Sequence, residues 1–129
     1  MIKGILPKLM QDYILEEFGQ DVYKKVQDDL GNPSFLASES YPDTVIKDMA
    51  KCVSKYTGKS EREILFGLGF YTPKAFKKVY KKYFRFDTYK EFLKQMNKVH
   101  EELTKELPGI TPPTFEYNDR GDILEMTYL

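Results

Sequence analysis

The sequence predicts an α+β fold in which about six helices precede one short antiparallel β-hairpin. Apolar residues recur at three- and four-residue steps from Leu6 to Leu103, which is the period of helices that bury one face. After Pro113 the period changes to two, as in strands with one buried face. The sequence has no internal repeat, linker or low-complexity segment, so residues 1–129 are expected to form a single domain.

The first two helices are expected to follow each other closely. Apolar residues recur from Leu6 to Phe18, and Gly19 is predicted to end this helix because glycine is common just after a helix terminus. The second apolar pattern ends at Gly31. Residues 32–40 contain proline, serine and asparagine without a period, which predicts a loop.

Three further helices are predicted in the middle of the chain. Asp43 is a candidate N-cap for the third helix, which closes at Gly58. Ser60 and Glu63 have the spacing of a capping box, in which each side chain satisfies a free backbone N–H of the other residue, so a fourth helix begins there. Thr72 and the proline that follows it predict the N-cap and first turn of a fifth helix.

The sixth helix and the hairpin complete the predicted fold. Asp87 or Thr88 can cap a helix with one long apolar stripe. The hairpin is expected to turn at residues 118–121, between two segments in which apolar and polar residues alternate. The helix stripe comprises Tyr89, Phe92, Leu93, Met96, Val99, His100 and Leu103, and the alternating residues are Phe115, Tyr117, Leu124, Met126 and Tyr128.

The charge of the chain argues against two classes of partner. Twenty basic and twenty acidic residues give a formal net charge of +0, so the long-range field that recruits nucleic acid or an anionic membrane is missing. No apolar stretch is long enough for a membrane span, and the N-terminus lacks a secretory or transit pattern. We therefore expect a cytoplasmic protein that binds neither nucleic acid nor membrane.

Cysteine usage limits the redox chemistry. Cys52 is the only cysteine, so it cannot form an internal disulfide, and the sequence has no Cys-x-x-Cys-His for covalent heme attachment. Its position on an apolar helical stripe predicts a small buried hydrophobic residue.

His100 is the only histidine, and it lies on the apolar stripe of the sixth helix. Two interpretations stay open from the pattern alone: a satisfied core histidine, or a single axial metal ligand. Zinc is disfavoured because neighbouring Glu101 and Glu102 diverge around the helix and cannot converge with His100 on one ion. A serine or cysteine nucleophile would need a histidine base that a third group orients, and the sequence offers no such set. It also has no phosphate-binding loop. We therefore expect no enzymatic turnover.

The segment from His100 to Pro113, His-Glu-Glu-Leu-Thr-Lys-Glu-Leu-Pro-Gly-Ile-Thr-Pro-Pro, resembles the segment that carries the proximal heme ligand in H-NOX domains, the heme nitric oxide/oxygen binding family. Further stretches are similar to the family in the same order, from Lys3 to Tyr128. They are Lys3-Gly4, Glu17-Phe18-Gly19, Tyr41-Pro42-Asp43, and Tyr56 to Ser60 with Ile64-Leu65.

The resemblance implies a non-covalent heme b whose iron is bound by His100, with Pro113 pressing on and distorting the porphyrin. It implies a nitric oxide sensor in which gas binding weakens the histidine–iron bond and shifts the surrounding helix. The shift would bias a partner such as a histidine kinase, a cyclase or a chemoreceptor. The residues that match the distal wall of the family's heme pocket are Leu6, Met10, Leu65 and Thr72.

The sequence departs from the family after Tyr128, which matches the start of the Tyr-x-Ser-x-Arg motif that holds the heme propionates. Only Leu129 follows, so the serine and arginine are absent. The resemblance therefore implies either a family member shortened at its C-terminus, with the later strands missing, or a fragment of one. Of this motif, Tyr128 alone would reach one propionate. The absence of the serine and arginine favours an alternative, a heme-free helical interaction module that retains only the scaffold. An unpaired hairpin edge also predicts self-association.

Overall fold

The computed structural model describes residues 1–79, 88–105 and 114–129, and within these ranges it confirms an α+β fold with six helices and a C-terminal antiparallel hairpin. The chain divides into two compact units, Met1–Phe76 and Lys77–Leu129. The elements in order are β1 (Ile2–Lys3), α1 (Ile5–Phe18), α2 (Gln20–Asp29), β2 (Ser40–Tyr41), α3 (Thr44–Thr57), α4 (Glu61–Val79), α5 (Tyr89–Leu93), α6 (Met96–Thr104), β3 (Phe115–Asp119) and β4 (Leu124–Tyr128).

The first unit is held together by one apolar cluster to which all four of its helices contribute. α1, α3 and α4 each place side chains there with no exposed surface, among them Ile14, Met49 and Ile64, and α2 contributes Val26. Cys52 is half-buried and packs against this cluster, in agreement with its position on an apolar stripe. The complete buried set is Met10, Tyr13, Ile14, Val26, Phe35, Met49, Ala50, Val53 and Ile64.

Several predicted helix ends are confirmed. α1 stops before Gly19, and α3 stops before Gly58, whose φ of 74° lies in the left-handed region that glycine adopts without a steric penalty. The Ser60 hydroxyl oxygen accepts a hydrogen bond of 3.1 Å from the Glu63 N–H, as expected at the start of a helix. Asp43 occupies the N-cap position of α3 but makes no capping bond, because its carboxylate pairs instead with the Met1 amino group at 2.8 Å.

The prediction of a separate helix beginning at Thr72 is wrong, because α4 runs without interruption from Glu61 to Val79 with Pro73 inside it. A proline at this position removes one helical N–H and crowds the carbonyl four residues earlier, which here belongs to Gly69. The Thr72 hydroxyl does not cap a new helix. It donates to the Leu68 carbonyl oxygen at 2.7 Å, so it supports the turn that precedes the proline.

The prediction of one continuous helix through His100 is also wrong. Thr88 caps the short helix α5, with its hydroxyl accepting from the Glu91 N–H at 3.2 Å, and α6 begins separately at Met96. Between the two helices, the Gln95 N–H bonds to the Phe92 carbonyl three residues earlier at 3.0 Å, not four. This tight turn changes the helical phase, so the apolar stripe is divided between two helices.

Two strands of two residues were not predicted. β1 and β2 pair antiparallel, with Ile2 opposite Tyr41 and Lys3 opposite Ser40. The Gly4 N–H extends this pairing by donating to the Glu39 carbonyl at 2.8 Å. Such short strands leave too few residues for an alternating pattern to be visible in a sequence.

The C-terminal hairpin forms as predicted, but its turn lies about two residues later. β3 extends through Asp119, and the Arg120 N–H bonds to the Ile123 carbonyl at 2.9 Å. Gly121, with φ of 91°, supplies the left-handed residue that the turn requires. In the register, Phe115 lies opposite Tyr128, and Tyr117 lies opposite Met126.

Within the three described ranges, no helix combines the length and the apolar character needed to cross a lipid bilayer.

Candidate functional site

His100 lies on α6 in the second unit, with its side chain half-buried. Its Nδ1 atom is buried and has no hydrogen-bond partner among the described residues. Burial lowers the pKa of the imidazole below its ordinary value of 6.5, because desolvation penalises the charged form. The ring is therefore neutral at neutral pH, which is the form in which histidine binds metals.

Asn97, one helical turn before His100, is bonded to the backbone of β3. Its side-chain amide nitrogen donates to the Phe115 carbonyl oxygen at 2.9 Å, and the Phe115 N–H donates to its side-chain oxygen at 2.8 Å. In an antiparallel hairpin, every second residue directs its backbone N–H and C=O toward the other strand. The backbone bonds between Leu129 and Thr114, and between Arg120 and Ile123, show which residues do so here. Phe115 is not one of them, so its backbone groups point away from β4 and bond to Asn97 as they would to a neighbouring strand.

The Phe115 ring contacts two of the predicted site residues. Its centroid is 6.2 Å from that of His100, with a tilt of 32° between the rings. Tyr128 meets the Phe115 ring edge-on at 5.7 Å, and Tyr128 is 70% exposed. The second unit therefore brings His100 and Tyr128 together through Phe115.

A second set of contacts ties the hairpin turn to α5. Lys90 and Lys94 both form ion pairs with the Asp119 carboxylate, at 2.5 Å for Lys90. The Lys90 ammonium also donates to the Gly121 carbonyl oxygen, and the Gly121 N–H donates to Asp119 at 3.0 Å. These hydrogen bonds to Lys90, Lys94 and Gly121 hold the pKa of the Asp119 carboxyl well below its ordinary value.

The four residues matched to the distal wall lie on α1 and α4 of the first unit. Leu6 and Leu65 are half-buried, and Leu65 packs against the apolar cluster. Met10 has no exposed surface and belongs to that cluster, so contact with a cofactor would require its neighbours to move. Thr72 is half-buried, and its hydroxyl proton is engaged by the Leu68 carbonyl.

Tyr71, next to Thr72, packs against the same apolar cluster. Its ring centroid is 5.6 Å from that of Tyr13. Burial and a hydrogen bond with Glu16 raise the pKa of Tyr71 to about 12, so its phenol stays protonated at neutral pH.

Pro113, the residue expected to press on the porphyrin, lies outside the described residues. Asn97 and Phe115 were not among the site residues predicted from the sequence. A signal for Asn97 was available, since a residue three positions before His100 shares its helix face. Phe115 could not be found this way, because its contact with α6 joins residues far apart in the sequence.

The His100 side chain fits the requirements of a heme ligand. A buried ring nitrogen without a partner is uncommon, because burial of an unpaired polar atom is unfavourable. An iron atom bound to the ring would be an additional partner for this neutral, partly desolvated imidazole. The Phe115 ring contacts both the His100 and the Tyr128 rings, so aromatic surface adjoins the imidazole.

Comparison with known proteins identifies the family of the chain. The family described as Haem-NO-binding matches residues 3–129. Soluble guanylate cyclase 89Db of Drosophila melanogaster is 25% identical over 126 residues, which cover 92% of this chain and 18% of the cyclase. The chain thus spans less than a fifth of that relative.

Solved H-NOX structures superimpose on almost the whole chain. An oxygen-binding H-NOX domain related to soluble guanylate cyclases, in its oxygen complex, has a TM-score of 0.82 and 27% identity, covering 98% of this chain and 70% of its own. A Cs H-NOX mutant with 4-cyano-L-phenylalanine at site 5 has a TM-score of 0.85 and 27% identity, and the match covers 98% of this chain and 71% of the Cs H-NOX chain. The chain therefore belongs to the haem-NO-binding (H-NOX) family of heme-based gas-sensor domains.

Proposed function

We propose that this chain is a nitric oxide sensor in which His100 is the axial ligand of a non-covalently held heme b. The observation that carries the proposal is the buried, unpartnered ring nitrogen of His100 on a helix that contacts the hairpin through Phe115. Heme, when bound, would supply an iron that can bind a diatomic gas. Pro113 is proposed to press on the porphyrin, and Tyr128 to bind one propionate with its exposed side chain.

The preference for nitric oxide follows from the residues matched to the distal wall. Leu6, Met10 and Leu65 are apolar, and the proton of the Thr72 hydroxyl is held by the Leu68 carbonyl. A wall built from these four side chains would present no hydrogen-bond donor to bound dioxygen. Nitric oxide depends less on such a donor, so these residues favour it.

The route of the signal is proposed to run from α6 into the hairpin. His100 and Asn97 lie on one face of α6, and Asn97 is bonded at both Phe115 backbone groups. A shift of α6 after gas binding would therefore move the start of β3, because two hydrogen bonds must either follow the helix or break. The hairpin would pass this change to a signalling partner such as a histidine kinase, a cyclase or a chemoreceptor.

We further propose that the 129 residues act as one cytoplasmic domain that self-associates through the outer edge of β4. The hairpin alternation directs the backbone groups of Leu124, Met126 and Tyr128 away from β3, and an unpaired edge of this kind readily pairs with another chain.

A hemin titration tests the central proposal. Added hemin should produce a Soret absorption band in the purified protein, and His100→Gly should lose it. Free imidazole should restore the band in His100→Gly, because the small molecule can bind iron in the space left by the side chain. Cys52→Ala serves as the matched control and should keep the band, which excludes a thiolate ligand.

The same samples distinguish the heme-free alternative. A ligand that binds only the folded protein must raise its melting temperature. Hemin should therefore stabilise the wild-type chain and not His100→Gly. An unchanged melting temperature with no Soret band would contradict the sensor and support a heme-free interaction module. Nitric oxide should alter the band under conditions in which dioxygen does not.

A further inference from the structure

Helix α4 carries two strongly exposed aromatic side chains. Phe66 is 78% exposed and Phe70 is 69% exposed, although both lie in the interior of the helix. Because they are four residues apart, they share one face of α4. Ile64 has no exposed surface, so α4 is packed into the first unit by a different face.

Basic side chains mark both ends of this face. Arg62 precedes Phe66 by four residues, and Lys74 follows Phe70 by four, so the four residues form one row that we name the aromatic ridge. The Lys74 ammonium lies 5.3 Å from the centroid of the Phe70 ring. At about 1.5 Å per helical residue, the row from Arg62 to Lys74 is about 18 Å long.

A pocket opens beside the ridge. It has a volume of about 360 Å³ and lies between α1 and α4. Tyr13, Phe18 and Phe66 supply aromatic surface to its lining, which also includes two basic residues, Lys59 and Arg62, and two glutamates. The Lys59 ammonium lies 5.5 Å from the Phe18 ring centroid, so a basic side chain also lies against an aromatic ring on this side of the pocket.

Gly69 leaves the ridge without a side chain beside Phe70. A Cβ atom at Gly67 would collide with the Tyr13 hydroxyl, so the packing of this chain accounts for that glycine. A Cβ atom at Gly69 would have no atom of the described residues within 4 Å. A second helix could therefore approach the α4 backbone closely at this point, as small residues allow at helix contacts.

We propose that the aromatic ridge docks an amphipathic helix of another protein. The apolar side chains of that helix would cover Phe66 and Phe70, and one large side chain would enter the adjacent pocket. Carboxylates near its two ends would face Arg62 and Lys74. The charge of the ridge selects this occupant, because a basic residue stands at each end of an apolar centre.

Two other occupants fit less well. A second copy that stacked both pairs of phenylalanines antiparallel would set Arg62 against Lys74, which are like charges. An anionic membrane is attracted by net positive charge, and the chain has none.

A synthetic helix tests the docking proposal on the full chain without heme, so its outcome does not depend on the sensor function. The probe is an amphipathic peptide of about 18 residues, with leucines on one face and two glutamates at the separation of Arg62 and Lys74. Fluorescence anisotropy should show binding with a Kd on the order of 10 μM. Amide shifts in nuclear magnetic resonance spectra should centre on residues 62–74.

Variants identify the surface. The double substitution Phe66→Ser with Phe70→Ser should weaken binding by at least about tenfold. Leu36→Ser is the matched control, because Leu36 is 56% exposed in the same unit, and it should bind like the wild type. Arg62→Glu should weaken binding of the acidic peptide, and a peptide with lysine at the facing position should restore it.

Melting temperatures of all variants should match the wild type, since the altered side chains are exposed. Equal binding by every folded variant, or no binding at millimolar peptide, would overturn the proposal. Binding to phosphatidylserine vesicles in place of the peptide would also overturn it, as would dimerisation in light scattering that Phe66→Ser abolishes.

Discussion

The side chain of Asn97 pairs with the backbone of Phe115 through both atoms of its amide group. The relationship resembles strand pairing, because the two Phe115 groups that it satisfies point away from β4. It joins the helix of the only histidine to the first residue of the hairpin. This contact is therefore the physical connection on which the proposed signal route depends.

Replacing Asn97 by leucine should destabilise the second unit. Asn97→Leu leaves the Phe115 N–H and carbonyl without partners, which costs about 1 to 3 kcal/mol for partly buried groups. Hydrogen exchange at the Phe115 amide should accelerate accordingly. Asn97→Asp should have a stability between those of the wild type and Asn97→Leu, because a carboxylate accepts from the Phe115 N–H but cannot donate to the Phe115 carbonyl. Asn118→Leu, at an exposed hairpin position, is the control and should leave the Phe115 amide protected.

Alanine substitutions at Gly67 and Gly69 should change the stability of the first unit in opposite directions. Gly69→Ala adds a methyl group in open space and should stabilise the helix by up to about 1 kcal/mol. Gly67→Ala places its methyl group against the Tyr13 hydroxyl, which is bonded to the Ile64 carbonyl at 3.2 Å, so it should destabilise the fold. Urea unfolding measures both. Equal effects of the two substitutions would contradict the packing of Tyr13 against α4.

The attachment of the hairpin to α5 should weaken in acid. The folded-state pKa of Asp119 lies below its ordinary value of 3.8 because of its bonds to Lys90, Lys94 and Gly121. The carboxylate therefore contributes its full stabilisation above about pH 4 to 5, and the contribution is lost as the pH falls through the folded-state pKa.

Asp119→Asn should remove this acid-dependent part of the stability. As the pH falls from about pH 6 to pH 2, the free energy of unfolding should decrease less steeply in the variant than in the wild type. Asp122→Asn, in the same turn, is the control and should follow the wild-type curve. Identical slopes for wild type and Asp119→Asn would show that the two ion pairs do not hold the turn.

Self-association through β4 should depend on its outward backbone groups. Met126→Pro removes an N–H that points away from β3, so the hairpin ladder is retained while the outer edge loses a donor. Light scattering should show a mass that rises with concentration for the wild type and a constant monomer mass for the variant. A wild type that stays monomeric at every concentration would remove the basis for edge pairing.

Much of the fold could be predicted from local chemistry in the sequence. Helical periodicity located α1 to α3 and the start of α4, and the glycines at positions 19 and 58 marked two helix ends, because these signals need only neighbours along the chain. The hairpin followed from alternation between Phe115 and Tyr128. The resemblance to the H-NOX family rested on contiguous motifs around His100, and the family match over residues 3–129 confirms it.

Local chemistry was ambiguous where one residue type serves two structures. Thr72 followed by Pro73 fits either a helix start or a helix interior, and only the packing of α4 as one continuous element decided between them. Likewise, the apolar stripe that contains His100 has no glycine or proline at position 95 that would indicate the end of a helix. The turn there depends on a backbone bond to Phe92 that no residue preference announces.

The sequence by itself determined α1 to α3, the start of α4 and the hairpin, and it placed the histidine on the apolar face of its helix, since these depend on the order of polar and apolar residues. Only the tertiary structure decided that Asn97 bonds to Phe115, that Phe115 contacts both His100 and Tyr128, and that Nδ1 of His100 is buried without a partner among the described residues. These features depend on distances between residues remote in the chain, and distance is not a property of sequence order.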